Sequence, residues 1–323
     1  MRLAGQVKDL WERNQDKMEN RIHEWIAPIK SNKNIIPAAR KAFHQWQPLR
    51  AYTNTTKLMK GGEVVFSLRF HGQEVADIKV TKGKNPVLCV SKRQNINNQK
   101  LGAPAIPDKV NWDSNKAKEF RDYFKKNDGE IKTHSPEHAI ETDLINEMRK
   151  TSSVKKFGGS FSDIQPVLYA GCPIQIPTPL IWDGKQPVPS EKGGNMDIVA
   201  RRLVKGKRVR LSVWELKKRG ASAAEIEKAI YQSIVYASTL RMMLRSENCG
   251  YDWYRFFGFN GKAVPAKLEI EAVPTIAIGQ KHIFEKKIAS FKDDLTIGKD
   301  QLILCVAYYD KDLKIDFKEI QCG

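Results

Sequence analysis

The clearest alternation of apolar and polar residues runs from Val209 to Leu216. A period of two is typical of a strand that buries one face. A second extended run, from Asn195 to Leu203, precedes it, and the basic sequence VKGKR separates the two. The pattern therefore predicts a β-hairpin between residues 195 and 216.

Two segments carry the spacing of three and four that is typical of an amphipathic helix. One covers residues 221–244, where Ile226, Ile230 and Ile234 form an apolar stripe. The other begins at Ser135-Pro136 and continues to about residue 150, because serine caps a helix and proline suits its first position. The predicted order is thus helix, hairpin, helix.

The first 130 residues predict a different set of elements. Residues 1–60 have a basic helical pattern whose first run ends at Pro28. Residues 61–93 contain three short strands of an antiparallel meander, and the polar residues 94–112, spaced by Pro and Gly, predict a loop. We therefore expect an α/β chain in which an α+β accessory region, residues 1–130, precedes a domain over residues 131–323.

Charged residues stand at the open end of the predicted hairpin. Asp197 begins the first arm, and Glu215 and Lys217 end the second. Residues two apart in a strand point to the same face, and the two acids come from adjacent strands. Burying two carboxylates and an ammonium together is costly unless a cation lies between the acids. A hard divalent metal ion with oxygen ligands meets that requirement.

Asp197 followed by Glu215-Leu216-Lys217 resembles the D…(D/E)-x-K signature of the PD-(D/E)XK phosphodiesterase superfamily, with Met196 in place of the proline. Gln232 and Tyr236, four apart on the following helix, resemble the Q-x-x-x-Y motif of the RecB-like branch. Glu141, on the buried side of the helix that begins at Pro136, matches the glutamate that the superfamily places before its first core strand.

The resemblance implies a restriction-endonuclease-like core, a mixed sheet flanked by helices, and metal-dependent hydrolysis of phosphodiester bonds in DNA in restriction, defence or repair. It implies that Asp197, Glu215 and the main-chain carbonyl of Leu216 hold Mg²⁺ or Mn²⁺. Glu141 is expected to hold a second ion or a metal-bound water. Lys217 is expected to orient the attacking water or stabilise developing charge, and Gln232 and Tyr236 to orient DNA or the catalytic strand.

Three alternatives stay open. The tripeptide Asp77-Ile78-Lys79, with Glu63, is a rival acidic site in the predicted meander. The chain could also be a non-catalytic nucleic-acid-binding protein, or a nuclease acting on RNA or branched DNA. The aromatic segment DWYRFFGF, residues 252–259, suits a packed core or base stacking.

The overall composition indicates which classes of partner and site the chain can have. The 323 residues include 55 Lys and Arg against 37 Asp and Glu, a net charge of +18, which favours a polyanionic partner such as DNA. The 5 cysteines lack Cys-x-x-Cys spacing, which argues against a zinc ribbon or a disulfide scaffold. Because no secretory signal or membrane-length apolar run is present, we expect a cytoplasmic protein without a membrane partner. The oligomeric state stays open, with a homodimer as one option.

Overall fold

The chain contains both helices and strands, which form two mixed sheets, and this confirms the expected α/β class. The computed structural model describes residues 3–131, 135–152, 163–204, 208–289, 291 and 294–320. The helices are α1 (Leu3–Arg13), α2 (Gln15–Ser31), α3 (Ile35–Lys41), α4 (Lys92–Lys100), α5 (Asn115–Lys126), α6 (Pro136–Ser152), α7 (Ala223–Arg245), α8 (Gly250–Phe256) and α9 (Lys281–Ile288). The strands are β1 (Arg50–Asn54), β2 (Met59–Lys60), β3 (Glu63–Phe70), β4 (Gln73–Val80), β5 (Val87–Cys89), β6 (Lys109–Asn111), β7 (Ile164–Pro166), β8 (Leu168–Tyr169), β9 (Cys172–Trp182), β10 (Pro187–Met196), β11 (Ile198–Val204), β12 (Arg208–Leu216), β13 (Glu269–Ala277), β14 (Thr296–Ile297), β15 (Asp300–Tyr309) and β16 (Ile315–Glu319).

The chain forms two compact units that do not follow the expected boundary at residue 130. The first unit contains Met1–Ile26, Asp143–Val167 and Ile176–Gly323, and the second contains Ala27–Thr142 and Leu168–Gln175. The N-terminal segment belongs to the first unit because α1 packs on α7 through an apolar face. The chain passes between the units within α2, α6 and β9 and between Val167 and Leu168.

A mixed sheet organises the first unit. Its strand order is β14-β15-β13-β12-β11-β7, with β16 paired to β15. Strands β12, β13 and β15 are parallel, and the remaining neighbours are antiparallel. Helix α7 connects β12 to β13 and packs against both, which gives the parallel pair the crossover that it requires.

The predicted hairpin is confirmed as β11 and β12. Its register runs from Ile198 opposite Trp214 to Val204 opposite Arg208. Residues 205–207 of the predicted turn lie outside the described residues. Trp214 is fully buried, which anchors the hairpin in the core of the first unit.

The second unit contains the predicted meander. Strands β3, β4 and β5 pair antiparallel in sequence, β6 extends them, and β1 pairs antiparallel with β3 on the other side. The start of β9 pairs in parallel with β1, which makes this sheet mixed as well. Phe66, Phe70 and Phe124 are fully buried and form part of its core.

Two local predictions were wrong. Residues 92–100 form a helix where a loop was expected, because Ser91 and Gln94 make a capping box that satisfies the first N–H groups. Pro28 does not end its helix, since α2 continues to Ser31. A proline only three residues before the end of a helix removes one main-chain hydrogen bond, and α2 tolerates that loss.

No helix in the described ranges is both long and apolar enough to cross a membrane.

Candidate functional site

The hairpin brings Asp197 and Glu215 to the same end of neighbouring strands. Asp197 lies at the bend just before β11, and Glu215 directly follows Trp214, which pairs with Ile198. The Leu216 main-chain N–H donates a hydrogen bond to Asp197 Oδ2 at 2.8 Å. The Asp197 carboxylate is therefore fixed against the strand that carries Glu215.

Lys217 forms an ion pair with Glu215, as their shared strand face requires. Lys217 Nζ donates to Glu215 Oε1 at 2.8 Å. The two side chains are only 9 % and 6 % exposed. Burying such a pair costs desolvation that good geometry must offset. At this end of the hairpin, the Asp197 carboxylate is hydrogen-bonded to the main chain, and the Glu215 carboxylate is paired with an ammonium.

The end of β12 is held by two residues that the sequence patterns did not indicate. The Lys217 N–H donates to Thr275 O at 3.0 Å, and Tyr309 Oη donates to Lys217 O at 2.7 Å. Both contacts join residues more than 50 positions apart, so no local spacing could have indicated them. They fix the main chain at the position where the Lys217 side chain begins.

The Leu216 carbonyl faces the Asp197 side of β12. Within a strand, the N–H and C=O of one residue point toward the same neighbour. The Leu216 N–H donates to Asp197, whereas the next residue bonds to Thr275 on the other side. The carbonyl that the superfamily resemblance assigns to the metal is therefore directed to the same side as the Asp197 carboxylate.

Helix α7 adds Gln232 and Tyr236 to this end of the hairpin. Gln232 Nε2 donates to Tyr236 Oη at 3.5 Å, so the two residues share a face. Burial raises the pKa of Tyr236 above its ordinary value, and the negative charges of Glu215 and Asp197 raise it further, although the Gln232 hydrogen bond opposes them. The phenol is therefore neutral at physiological pH and lies within electrostatic reach of both acids.

Gly194 provides space for the Tyr236 hydroxyl. A Cβ atom at position 194 would lie 2.7 Å from Tyr236 Oη and 2.8 Å from Ile181 Cγ2. Neither contact is sterically acceptable without movement. The glycine just upstream of Asp197 is therefore needed for the tyrosine to occupy this position.

Glu141 lies in α6, within the second unit, and is only 7 % exposed. Burial, and then the negative charge of Glu141, raise the pKa of Tyr52 to about 12. Tyr52 Oη also lies 3.3 Å from Thr142 Oγ1. The glutamate occupies the buried side of α6 that its helical phase indicated, and its convergence with Asp197 and Glu215 stays a prediction.

The rival acids of the meander have basic partners within the second unit. Lys57 Nζ donates to Asp77 Oδ1 at 2.7 Å and to Glu74 Oε2 at 2.9 Å. Lys79 lies 3.5 Å from Glu63. Lysines therefore balance the negative charge of these carboxylates, so the carboxylates need no metal ion.

The hairpin residues fit a small, hard cation such as Mg²⁺. Asp197, Glu215 and the Leu216 carbonyl supply only oxygen donors, and Mg²⁺ is commonly held by one or two carboxylates with waters in its other positions. Within the described residues no group of three or more His, Cys, Asp or Glu side chains is assembled for a metal. Gln232 Oε1 is buried and has no hydrogen-bond partner there, so it is an acceptor for a water or ligand at the site.

No family model, curated protein or solved structure that was compared with this chain matches it. The function is therefore inferred from the geometry and chemistry of the site.

Proposed function

We propose that the protein is a metal-dependent nuclease that hydrolyses phosphodiester bonds in DNA. The observation that carries this proposal is the end of the β11–β12 hairpin, where Asp197 is hydrogen-bonded to Leu216 and Glu215 is paired with Lys217. Acids on adjacent strands and a lysine two residues after the second acid are the arrangement that the PD-(D/E)XK resemblance implies.

The residues take distinct roles in this proposal. Asp197, Glu215 and the Leu216 carbonyl would hold Mg²⁺ or Mn²⁺, and Glu141 would hold a second ion or a water. A bound divalent ion lowers the pKa of water and neutralises phosphate oxygens. The Lys217 ammonium would orient the attacking water or stabilise developing charge on a phosphate oxygen. The neutral Tyr236 hydroxyl can donate to the substrate strand.

The order of elements supports a restriction-endonuclease-like core as part of the same proposal. Helix α6 precedes the hairpin, and α7 follows it with Gln232 and Tyr236 on one face. The sheet is mixed and has α7 packed on β12 and β13. These are the features that the resemblance implies for the domain.

A panel of substrates tests the proposal directly. Purified protein is incubated with linear duplex, circular duplex, single-stranded and branched DNA and with RNA, each with Mg²⁺, with Mn²⁺ and with EDTA. We expect metal-dependent cleavage of DNA. Cleavage confined to RNA or to branched DNA would replace the substrate class, and no cleavage of any substrate would contradict the proposal.

One observation favours a second function, a non-catalytic nucleic-acid-binding protein. The Glu215 carboxylate accepts a hydrogen bond from the buried Lys217 ammonium, so one of the two acids is neutralised within the chain. A site used only for structure needs no further cation. This function predicts salt-sensitive DNA binding with no cleavage under any metal condition.

A further inference from the structure

A groove lies at the end of the β11–β12 hairpin opposite Asp197 and Glu215. It consists of two cavities of about 380 and 300 Å³ that share Val209 and Phe259. The residues that matter for its chemistry are Arg201, Arg208, Val209, Tyr254, Phe259 and Lys267. We call this groove, formed within the first unit, the distal groove.

We propose that the distal groove binds one nucleotide unit of a single-stranded stretch of the substrate, with its base against Phe259 and its phosphates at Arg208 and Lys267. This inference rests on the proposed function, because it assigns a second contact to the strand that the nuclease site cleaves. Both cavities are of the size that proteins use for small ligands.

The aromatic wall of the groove is fixed in place before any ligand arrives. The rings of Tyr254 and Phe259 are stacked, with centroids 4.7 Å apart and planes inclined by 5°. Arg201 Nη1 donates to Gly258 O at 3.0 Å, and Arg255 Nη1 donates to Phe259 O at 3.1 Å. A rigid aromatic ring stacks with any base, because every base has a π-face.

Only part of the aromatic segment is used to fill the core. Trp253 and Phe257 are fully buried and Phe256 is 4 % exposed, whereas Phe259 is half-buried at the groove. Val209, which lines both cavities together with Phe259, is 45 % exposed. The exposed valine and the half-buried phenylalanine leave apolar surface in the groove that a base can cover.

The rim of the groove carries more positive than negative charge. Its side chains include four cations, Arg201, Arg208, Arg210 and Lys267, and two carboxylates, Asp163 and Glu269. Glu269 lies 3.2 Å from Arg208 and 3.9 Å from Lys267, yet those basic side chains are still 64 % and 58 % exposed. Their charged ends can therefore reach a phosphate while they share one carboxylate.

The distance between the two ends of the hairpin suits a strand lying along it. The Val204–Arg208 pair lies six positions along β11 from the Ile198–Trp214 pair. Six steps along a strand span about 20 Å. A single strand of a few nucleotides can cover that length.

Photo-crosslinking in EDTA tests the contact independently of cleavage. A single-stranded oligonucleotide with 5-iodouracil at successive positions is irradiated with the full-length protein, and the crosslinked peptide is identified by mass spectrometry. We expect the crosslink at Phe259 or Tyr254. Crosslinks confined to other segments would overturn the inference, whether or not the protein cleaves DNA.

Variants separate base stacking from charge and from folding. Phe259→Leu keeps an apolar side chain but removes the ring and is expected to weaken oligonucleotide binding about tenfold, whereas Phe259→Tyr is expected to bind like wild type.

Val209→Glu changes an exposed residue and is expected to weaken binding similarly. Lys118→Gln removes one positive charge from an exposed lysine on α5 of the second unit, so it changes the net charge by the same −1 as Val209→Glu and is the control. Equal losses in Val209→Glu and Lys118→Gln, or wild-type binding by Phe259→Leu, would overturn the inference.

Thymidine monophosphate distinguishes a strand from a free nucleotide. We expect it to compete for the groove at least a hundredfold more weakly than the oligonucleotide. Equal affinity would overturn the assignment to a strand. A crosslink at Phe259 in a protein without metal-dependent cleavage would support the groove and contradict the proposed nuclease, so the two failures are distinguishable.

Discussion

The Glu215–Lys217 pair determines how the site behaves without metal. The ammonium lies 2.8 Å from the carboxylate, and both groups are buried. An amide at position 215 can still accept the lysine hydrogen bond, but it leaves the buried charge without its counter-ion. Relief of the repulsion between Glu215 and Asp197 would by itself preserve or raise stability when Glu215 is neutralised. The observed ion pair instead indicates a loss of about 1–3 kcal/mol.

The Tyr236 hydroxyl provides a residue-scale test of the site. We expect Tyr236→Phe to lower the rate of DNA cleavage about fivefold, because one hydrogen bond contributes about 1 kcal/mol. The apparent affinity for Mg²⁺ should hold, since the phenol is not a proposed ligand. The measurement is a Mg²⁺ titration of the cleavage rate.

Tyr231→Phe is the matched control for that variant. Tyr231 lies on the same helix, where its ring stacks on Trp182 with a centroid distance of 4.6 Å. We expect it to cleave at the wild-type rate. Equal rate losses in the two variants would indicate a general effect of removing a hydroxyl from α7.

At the scale of elements, Asp300 fastens α7 to the sheet. Arg241 Nε donates to its carboxylate at 2.7 Å and Arg245 Nε at 2.9 Å, and the Leu268 N–H donates at 2.8 Å. Burial acts to raise the pKa of Asp300, but the hydrogen bonds from Arg245, Leu268 and Arg241 outweigh it, so the pKa lies below its ordinary value. The carboxylate is therefore charged in the folded state and contributes to the position of the helix that carries Tyr236.

We expect Asp300→Asn to lower the free energy of unfolding by roughly 3 kcal/mol at neutral pH, because it leaves two partly buried guanidinium groups without their counter-ion. The contribution of Asp300 is fully present above its unfolded-state pKa, near 4, and is lost as pH falls through the lower folded-state value. Urea denaturation at pH 7 and near pH 2 checks both parts.

The matched control is Asp312→Asn, which changes an exposed aspartate near the end of β15. Its free energy of unfolding should stay within about 0.5 kcal/mol of wild type. A stability gap between Asp300→Asn and wild type that persisted undiminished at the low pH would contradict the assigned role of the carboxylate.

Elements with a strong hydrophobic period could be predicted, and those fixed by distant contacts could not. The stripe of α7, Ile226, Ile230 and Ile234, is buried, so the sequence records it directly. The alternation in β12 correctly indicated a strand, but not a strand with one buried face, because both faces are buried from Leu211 to Leu216 and Val209 is exposed. Helix α4 has one large apolar residue, Ile96, which is 48 % exposed, so no period marks it. The pair Ser91 and Gln94, which forms its capping box, is the signal from which the helix could have been predicted.

The same distinction applies to the site. The strand period correctly placed Glu215 and Lys217 on one face, and the hairpin placed Asp197 at the same end. Tyr309, which holds the Lys217 carbonyl, comes from β15 and could be found only once the sheet was assembled. The stacking surface of Phe259 likewise depends on a loop that Arg201 holds against β11.

At the scale of the whole molecule, the net charge of +18 should dominate the affinity for DNA. The exposed Lys218 and Arg219 directly follow the proposed catalytic lysine, so part of this charge lies beside the site. Lysine and arginine that neutralise phosphates release counter-ions, and the affinity then falls with salt.

We expect the logarithm of the association constant to fall linearly with the logarithm of salt concentration, with a slope of about −0.9 for each phosphate neutralised. A protein that contacts about six phosphates would give a slope near −5. Fluorescence anisotropy in EDTA measures it. Glu215→Gln should give the same slope, and an affinity that does not change with salt would contradict the electrostatic account.

Mg²⁺-dependent DNA cleavage by Glu215→Gln tests most directly whether the end of the β11–β12 hairpin is the catalytic site. The assay compares this variant with wild type and with Asp77→Asn from the rival acidic cluster, below the temperature at which any of them unfolds. We expect Glu215→Gln to lose activity by a hundredfold or more, because a metal ligand that neutralises transition-state charge is removed, and Asp77→Asn to cleave like wild type. Full activity in Glu215→Gln would contradict the assignment of the catalytic site to the hairpin. If Asp77→Asn lost activity at the same time, the catalytic site would instead be the rival acidic cluster.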